Sequence, residues 1–306
     1  MQILVMGGNQ FLGKTLVEKL LKQNHKVFVL NRGNRENPVG TIHLKADRNN
    51  ISEIKEILNS LKFDIIIDVS AYTAEQVKNL YSNLKGKFKQ YILISSASIY
   101  NSIEDFPVNE KSKVGENINW GDYSKNKYLA EKEVEKMEEN FTILRPFYIY
   151  GIGNNLDREQ YIFSRLENNL PIYLPNDGKN KLQFGYIDDL VNLIIFSFQN
   201  SDFYRQIFNV TGDEIINIED FVLTCAEIIG KKADIKYIKC DESVKARDWF
   251  PFRALDLYGQ IEKLKNTGFY NSYTLKKGLE KTYKYLKENN LLRYPNLTNL
   301  ELSWNK

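Results

Sequence analysis

A doubly wound α/β fold around a parallel sheet is what this sequence predicts, and three observations carry it. Apolar runs of strand length alternate with helical patterns through the first half of the chain. Two of those runs, "FDIIIDVS" and "YILISS", are nearly continuous rather than alternating, as strands covered on both faces are. A glycine-bearing turn joins the first run to the first helical pattern.

The elements follow in order. "QILVM" is the first strand, and around "KTLVEKLLKQ" Leu12, Leu16 and Leu20, with Val17 and Leu21, have helical spacing. "KVFVLN" is the second strand, "IHLKA" a short third, and "ISEIKEILNSL" a helix. After "FDIIIDVS" come a helix, "AEQVKNLYSNL", and the strands "YILISS" and "FTILRP". Beyond residue 150 the pattern loosens. "IDDLVNLIIFSFQN" and "IEDFVLTCAEIIG" read as helical, and "QIFNVTG" and "DIKYIKC" as extended. "TLKKGLEKTYKYLKENN" is a final helix with Thr274 as its N-cap. The expected division is a dinucleotide-binding domain over 1–150, with some later segments returning to it. A smaller α/β substrate domain is expected over 151–306.

A chain of 306 residues, 42% hydrophobic, can build one large domain or two modest ones with real cores. With 42 basic and 39 acidic residues the formal charge is +3, which gives little electrostatic drive toward nucleic acid or a membrane. The apolar run at the start is too short for a signal or a membrane span and has no basic segment before it. Cys225 and Cys240 form neither a CxxC motif nor a disulfide framework, so a reducing, cytoplasmic setting is expected. His25 and His43 have no Cys/His cluster near them, which argues against a zinc site or a His-dependent triad.

In "ILVMGGNQFLGKTLVEKLL", Gly7, Gly8 and Gly13 lie between the first strand and the first helix. Glycines there permit a tight bend and a close approach of backbone N–H groups to a pyrophosphate, which the helix N-terminus also favours. The end of the second strand reports on the cofactor's ribose. An acidic residue suits the 2′-hydroxyl of NAD(H), and a basic one the 2′-phosphate of NADP(H). Here "VLNRGNR" gives Asn31, Arg32 and Arg35, with no carboxylate before Glu36, which leans toward NADP(H). The plainer alternative is that Arg32 stacks on adenine or faces solvent.

Tyr-x-x-x-Lys makes an acid–base unit when the ammonium draws down the phenol one helical turn away. The motif occurs five times, starting at Tyr81, Tyr123, Tyr128, Tyr273 and Tyr283, so alone it says little. Tyr123, Lys127, Ala130, Val134 and Met137 share one helical stripe whose later members are apolar, and that stripe is expected to face the protein. Tyr128, Lys132, Glu135 and Glu139 form a largely charged stripe, expected to face solvent. The strand "YILISS" ends in Ser95 and Ser96, where ligands of doubly wound sheets bind. The bland reading of Ser96 is a strand-end cap.

With these motifs the sequence resembles the extended short-chain dehydrogenase/reductase family, the NAD(P)-dependent sugar-nucleotide epimerases, dehydratases and reductases with a Rossmann-type sheet. The resemblance covers nearly the whole chain: "GGNQFLG", "DR" at Asp47 and Arg48, "SSASIY", and "YSKNKYLAE" with Tyr123, Lys127 and Glu131. "LRPFYIYG" and "YIDDLVNLI" continue it. It implies that Tyr123 is the general acid/base, that Lys127 binds the nicotinamide ribose and lowers the phenol pKa, and that Ser96 orients the reacting C–OH or C=O. It implies cofactor contacts from Gly7, Gln10, Phe11, Leu12, Asn31, Arg32, Asp47, Arg48, Ser70, Ala71, Tyr72, Ser95, Tyr123, Lys127 and Pro146. Substrate contacts are expected from Ser96, Tyr148, Lys181 and Arg247, and a homodimer is expected.

There are departures. Gln10 stands where the family usually has its middle glycine. Leu182 takes the position of a basic residue that often holds a substrate phosphate, with Lys181 or Arg247 as substitutes. Ala97 and Ser98 replace the Asp-Glu pair of family dehydratases, which ranks 4,6-dehydration below 4-epimerisation or 4-keto-sugar reduction. The alternatives are a non-catalytic regulatory or RNA-binding member of the same fold, or a reductase of a carbonyl substrate without a nucleotide.

Overall fold

The computed structural model of the protein describes residues 1–101 and 106–304. In chain order the elements of the first half are β1 (Gln2–Met6), α1 (Phe11–Lys22), β2 (Lys26–Asn31), β3 (Ile42–Lys45) and α2 (Ile51–Leu58). They continue with β4 (Ile65–Asp68), α3 (Ala74–Asn83), β5 (Gln90–Ile94), α4 (Asp122–Val134) and β6 (Phe141–Pro146). Then come β7 (Tyr148–Tyr150), α5 (Glu159–Glu167), β8 (Ile172–Pro175), β9 (Lys181–Tyr186) and α6 (Ile187–Phe196). The last are β10 (Gln206–Val210), β11 (Ile215–Asn217), α7 (Ile218–Ile229), β12 (Ile235–Ile238), α8 (Glu262–Lys265), α9 (Leu275–Glu288) and α10 (Asn299–Trp304).

The chain divides into two compact units. The first holds Met1–Phe147, Ile187–Thr211 and Gly259–Tyr270, and the second holds Tyr148–Tyr186, Gly212–Tyr258 and Asn271–Lys306.

The first unit is a seven-stranded sheet in the order β3-β2-β1-β4-β5-β6-β10. Every pairing in it is parallel. β1 and β4 are buried along their inner lengths, which is why "QILVM" and "IIID" carry Val, Leu and Ile on consecutive residues. Helix α1 turns Leu12, Leu16, Val17 and Leu20 inward, as its spacing predicts. Asn50 caps α2, and Thr73 with Gln76 forms a capping box on α3, so both helices start where their polar caps fall. From β1 the chain winds outward both ways, to β2 and β4, and that reversal opens a crevice at the carboxyl ends of these strands.

The segment "QIFNVTG" follows residue 150 in the chain but is β10, the edge strand of the main sheet against β6. Helix α6 also packs in the first unit, against α1.

The second unit has a three-stranded sheet, β11-β9-β7, and a parallel pair, β12-β8. Phe184 sits at the centre of its aromatic core, stacked on Phe221 and Tyr148 and edge-on to Phe252. Arg165 on α5 donates from Nε and Nη2 to Glu301 on α10 at 3.2 and 2.7 Å, and this buried ion pair ties the C-terminal helix down. Thr274 accepts the Lys277 N–H and caps α9, as expected. Strands β7, β8 and β9 escape the sequence reading because they are short, or carry Lys and Gln among their apolar residues.

Candidate functional site

The site begins at the carboxyl ends of β1, β2 and β4. Gly7 follows β1 with φ +88°, and a Cβ there would sit 2.8 Å from the Ser70 Cβ. A Cβ on Gly13 would lie 1.9 Å from the Gly7 carbonyl oxygen, so α1 approaches the turn this closely only without a side chain. Gln10, where the resemblance expects glycine, has φ −147° and ψ 142°, an extended conformation open to any residue. The unusual backbone falls instead on Phe11, with φ 38° at the head of α1. No side chain of Gln10 caps that helix end, which leaves the first N–H groups, on Phe11 and Leu12 among others, to a ligand or water.

A cleft of about 310 Å³ opens beside this turn. It is lined by Gly7, Asn31, Arg32, Asp47, Arg48 and Ser70, together with Asn49 and Gln76, which the sequence did not single out. Asn31 shapes the cleft wall: its amide donates to Asn37 Oδ1 at 2.7 Å and its oxygen accepts the Gly33 N–H at 2.9 Å. His43 and Lys45 on β3 border the same loop, with side-chain carbons 3.2 and 3.4 Å from where a Gly33 Cβ would be. Arg32, His43 and Lys45 are all exposed.

Arg48, which the resemblance makes a cofactor contact, lines the cleft with its guanidinium committed to the protein, donating to both carboxylate oxygens of Asp68 at 2.9 and 2.8 Å and to Ser70 Oγ at 2.8 Å. A wholly buried carboxylate explains why: burial pushes Asp68 up, and the charge and hydrogen bonds of Arg48 override it, holding the group below the usual carboxylate range. Tyr91 Oη also donates to Asp68, at 2.8 Å. Burial, then the Asp68 charge, pushes that phenol well above its ordinary value. The sequence reading missed Asp68 and Tyr91, although a charge at the end of "FDIIID" is a legible anomaly.

Helix α4 brings the tyrosine and lysine pairs. From Lys127 onward the expected inward stripe holds: Lys127 is 6% exposed, and Ala130, Val134 and Met137 are buried. Tyr123 departs from it, with 40% of its surface exposed, because it lies in the first turn of α4, beyond the packed part of the helix. Its ring stacks on Tyr72, centroids 5.8 Å apart. Tyr128 and Lys132, expected to face solvent, are half-buried, the Lys132 ammonium 5.6 Å from the Tyr128 ring and paired with Glu135.

Lys127 Nζ donates to the carbonyls of Ala71 and Ile94 at 2.7 and 2.8 Å. Burial lowers its pKa from 10.5 to about 8, with Asp68 and Glu131 opposing the fall and Arg48 adding to it. Glu131, one turn later, is clamped by Arg145 through Nε at 3.0 Å and Nη2 at 2.7 Å. Ser96, after β5, accepts the Ser98 N–H on Oγ at 3.1 Å and keeps its own hydroxyl proton to donate. Ser95 is buried with its Oγ lacking a partner among the described residues, and Pro146 ends the neighbouring strand β6. An orphaned hydroxyl, a glycine cradle and a cleft at the strand ends are what a bound dinucleotide requires, so these residues fit one.

In the second unit Tyr148 is the meeting point of three arginines. Arg158 lies 4.8 Å from its ring, and Arg253 and Arg247 act on its phenol through their charges. Burial raises that phenol's pKa, and the three cations oppose the rise. Burial, with the like charge of Arg247, holds Arg253 below its ordinary value, against the pull of Tyr148. Leu182 is buried, whereas Lys181 is exposed and its backbone is tied to the Asp256–Leu257 segment. Of the two substitutes foreseen for Leu182, only Arg247 belongs to the cluster. Arg158 and Arg253 were not foreseen. Among the described residues no group of three or more His, Cys, Asp and Glu could hold a metal ion, and no helix is long and apolar enough to cross a membrane.

Residues 3–211 match the NAD dependent epimerase/dehydratase family. The chloroplast stem-loop binding protein of 41 kDa b from Arabidopsis thaliana is 29% identical over 302 residues, covering 92% of this chain and 78% of that protein. The UDP-glucose 4-epimerase of Thermotoga maritima, solved with UDP-glucose, has the same fold at a TM-score of 0.79 and 17% identity, covering 95% of this chain and 100% of that one. The UDP-glucuronic acid 4-epimerase of Bacillus cereus, solved with UDP-glucuronic acid and NAD, has a TM-score of 0.77 at 20% identity, covering 94% of this chain and 100% of that one.

The buried ammonium gives a pH prediction for the ligand-free protein. Lys127 binds its proton less tightly folded, at about 8, than unfolded, at about 10.5. Between those values the unfolded state holds more protons, so this group makes stability rise with pH there, and its burial cost is undiminished below about 8. Lys127→Met removes that dependence. Its unfolding free energy relative to wild type is therefore expected to fall by about 3 kcal/mol between about pH 7 and about pH 10, read from urea midpoints. A pH-independent difference would mean that the ammonium is solvated.

Proposed function

The chain belongs to the NAD dependent epimerase/dehydratase family, and from that premise we propose that it is an oxidoreductase acting at C4 of a nucleotide-linked sugar, as a 4-epimerase or a 4-keto-sugar reductase. The observation that carries the reading is Lys127: a desolvated ammonium held at the ends of β4 and β5, one turn from an accessible tyrosine.

When bound, the nicotinamide supplies a hydride donor or acceptor. Tyr123 gives a proton from Oη to the sugar oxygen in the reducing direction and takes it back in the oxidising one. Lys127 has two N–H groups committed to Ala71 and Ile94. Its remaining donor serves the nicotinamide ribose, and its charge favours the phenolate of Tyr123. Ser96 donates to the same sugar oxygen and orients it. The head of α1 and the 310 Å³ cleft take the diphosphate and adenosine ends of the dinucleotide. In the second unit the crowded charges of Arg158, Arg247 and Arg253 favour an anion such as a diphosphate. Ala97 and Ser98 lack the acid and base that elimination of water needs, which supports epimerisation or reduction over dehydration. Retention of the dinucleotide through turnover separates the first from the second.

NADP(H) is the proposed cofactor. Arg32, His43 and Lys45 are exposed about the end of β2, which carries Asn31 and Arg32 rather than a carboxylate, although Asp47 after β3 lines the same cleft. NADPH is expected to bind more tightly than NADH, and Arg32→Ala to shrink the gap, both measured by titration calorimetry. Equal affinities in the wild type would rule out this preference.

A second reading, RNA binding, is favoured by one observation: the Arabidopsis relative spans 92% of this chain. The near balance of 42 basic and 39 acidic residues opposes it. A labelled stem-loop RNA at about 0.15 M salt is expected to bind no more tightly than about 10 µM, the non-specific range. Nanomolar, sequence-dependent binding would put this reading ahead.

The decisive experiment for the enzyme reading is a pair of conservative variants. Tyr123→Phe removes the transferable proton and is expected to lower turnover on a UDP- and dTDP-hexose panel by roughly two to four orders of magnitude. Dinucleotide affinity should be nearly unchanged. Tyr128→Phe, which keeps the half-buried ring under Lys132 and loses only a hydroxyl, should be close to silent. Wild-type turnover in Tyr123→Phe would overturn the mechanism.

A further inference from the structure

Asp68 is the residue that the proposed chemistry does not use. It ends β4, is fully buried, and spends both carboxylate oxygens on internal partners. Oδ2 accepts from Arg48 and from Tyr91 Oη, each at 2.8 Å. Oδ1 accepts from Arg48 at 2.9 Å, from the Ala71 N–H at 2.8 Å and from the Ser70 N–H at 3.2 Å. The Ala71 peptide presents its other end, the carbonyl, to Lys127 Nζ at 2.7 Å.

We propose that Asp68, clamped between Arg48 and Tyr91, is a positioning residue for Lys127 and acts through the Ala71 peptide. A peptide whose N–H is held by a carboxylate cannot rotate freely, so its carbonyl stays aimed at the ammonium. Polarisation along the chain also strengthens the second bond. The carboxylate adds a through-space attraction that keeps the lysine charged in a desolvated setting. Arg48 has the opposite effect on Lys127 through its own charge, while fixing Asp68 in place. The inference rests on the reading of Lys127 as the ribose-binding partner of Tyr123.

The test is the pH dependence of dinucleotide affinity, read by fluorescence titration with whichever of NADH and NADPH binds more tightly. Besides Asp68 and Arg48, the charge acting on Lys127 is Glu131 on α4; Tyr91 on β5 is bonded to Asp68 and Tyr123 lies one turn before Lys127, and all three stay as they are. In the wild type, affinity is expected to fall as pH rises through about 8, where the ammonium loses a proton. Asp68→Asn removes the nearby anion, and the fall should move down by about one pH unit or more. Arg48→Gln removes the like charge, and the fall should move up. Opposite displacements are something that a merely structural role would not give, since damage to the fold weakens binding in the same direction in both variants. If one variant fails to fold, the displacement in the other decides. Lys127→Met serves as the reference and should abolish the fall altogether. A fall that persists in Lys127→Met would overturn the reading of Lys127 itself. A fall that disappears there but stays at the wild-type pH in both Asp68→Asn and Arg48→Gln would overturn only the positioning role.

Discussion

The desolvated ammonium of Lys127 is the constraint around which the first unit is arranged. A lysine out of water needs acceptors for its protons and a negative charge within reach. The sheet supplies the acceptors at the one place where it can. The β4–β5 ladder stops at the Asp68/Leu93 pair, so the carbonyls just beyond it, on Ala71 and Ile94, lie outside the ladder. Helix α4 must then lie with Lys127 over those strand ends, and Ala130, Val134 and Met137 fix that orientation by packing inward. The apolar stripe and the polar contact are therefore one condition: a rotation of α4 that moved Lys127 off the carbonyls would also expose the stripe.

Charge balance follows the same line. From the β3–α2 connection to β6 the buried charges alternate: Arg48, Asp68, Lys127, Glu131, Arg145. Each cation faces an anion, and the row leaves one positive charge over. Arg145 extends it through Tyr100, whose phenol accepts from Nη1 at 3.0 Å and donates to Asn209 on β10 at 2.5 Å. A single buried pair of this kind is weak support for stability, but deleting one member strands its neighbours and costs several kcal/mol. Such a row is better understood as holding an electrostatic bias near α4 than as holding the sheet together, which the apolar strands already do.

This explains which parts were legible in advance. The doubly wound sheet was, because strands such as "IIID" and "YILI" must be apolar on both faces. The burial of Lys127 was legible too, because 3.6-residue periodicity puts it on one stripe with Ala130, Val134 and Met137. The exposure of Tyr123 was not, since periodicity describes a helix interior and Tyr123 sits in its first turn. The direction of the Arg48 guanidinium was not legible, because a motif gives the residue and not where its side chain turns. What decides the direction is Asp68, twenty residues further along, and nothing local to "ADRNN" reports it. The edge strand β10 was recognised as extended, but its membership of the main sheet depends on pairing with β6 across some sixty residues, which no local pattern encodes.

The second unit shows the same limit in a different form. Loss of a basic side chain at Leu182 looks, in sequence, like a hole in an anion site that the adjacent Lys181 could fill. On a strand, however, adjacent residues point to opposite faces. Leu182 is buried and Lys181 is exposed, so the neighbour in sequence does not present its side chain where Leu182 does. The arginines that do converge, on Tyr148, come from two segments, Arg158 just before α5 and Arg247 with Arg253 in "ARDWFPFR". They crowd one another, and burial together with the charge of Arg247 holds Arg253 below its ordinary value. Positive charges gathered at such a cost are stable only if something offsets them. In this unit the Tyr148 phenol does part of that, and an anionic ligand would do it better.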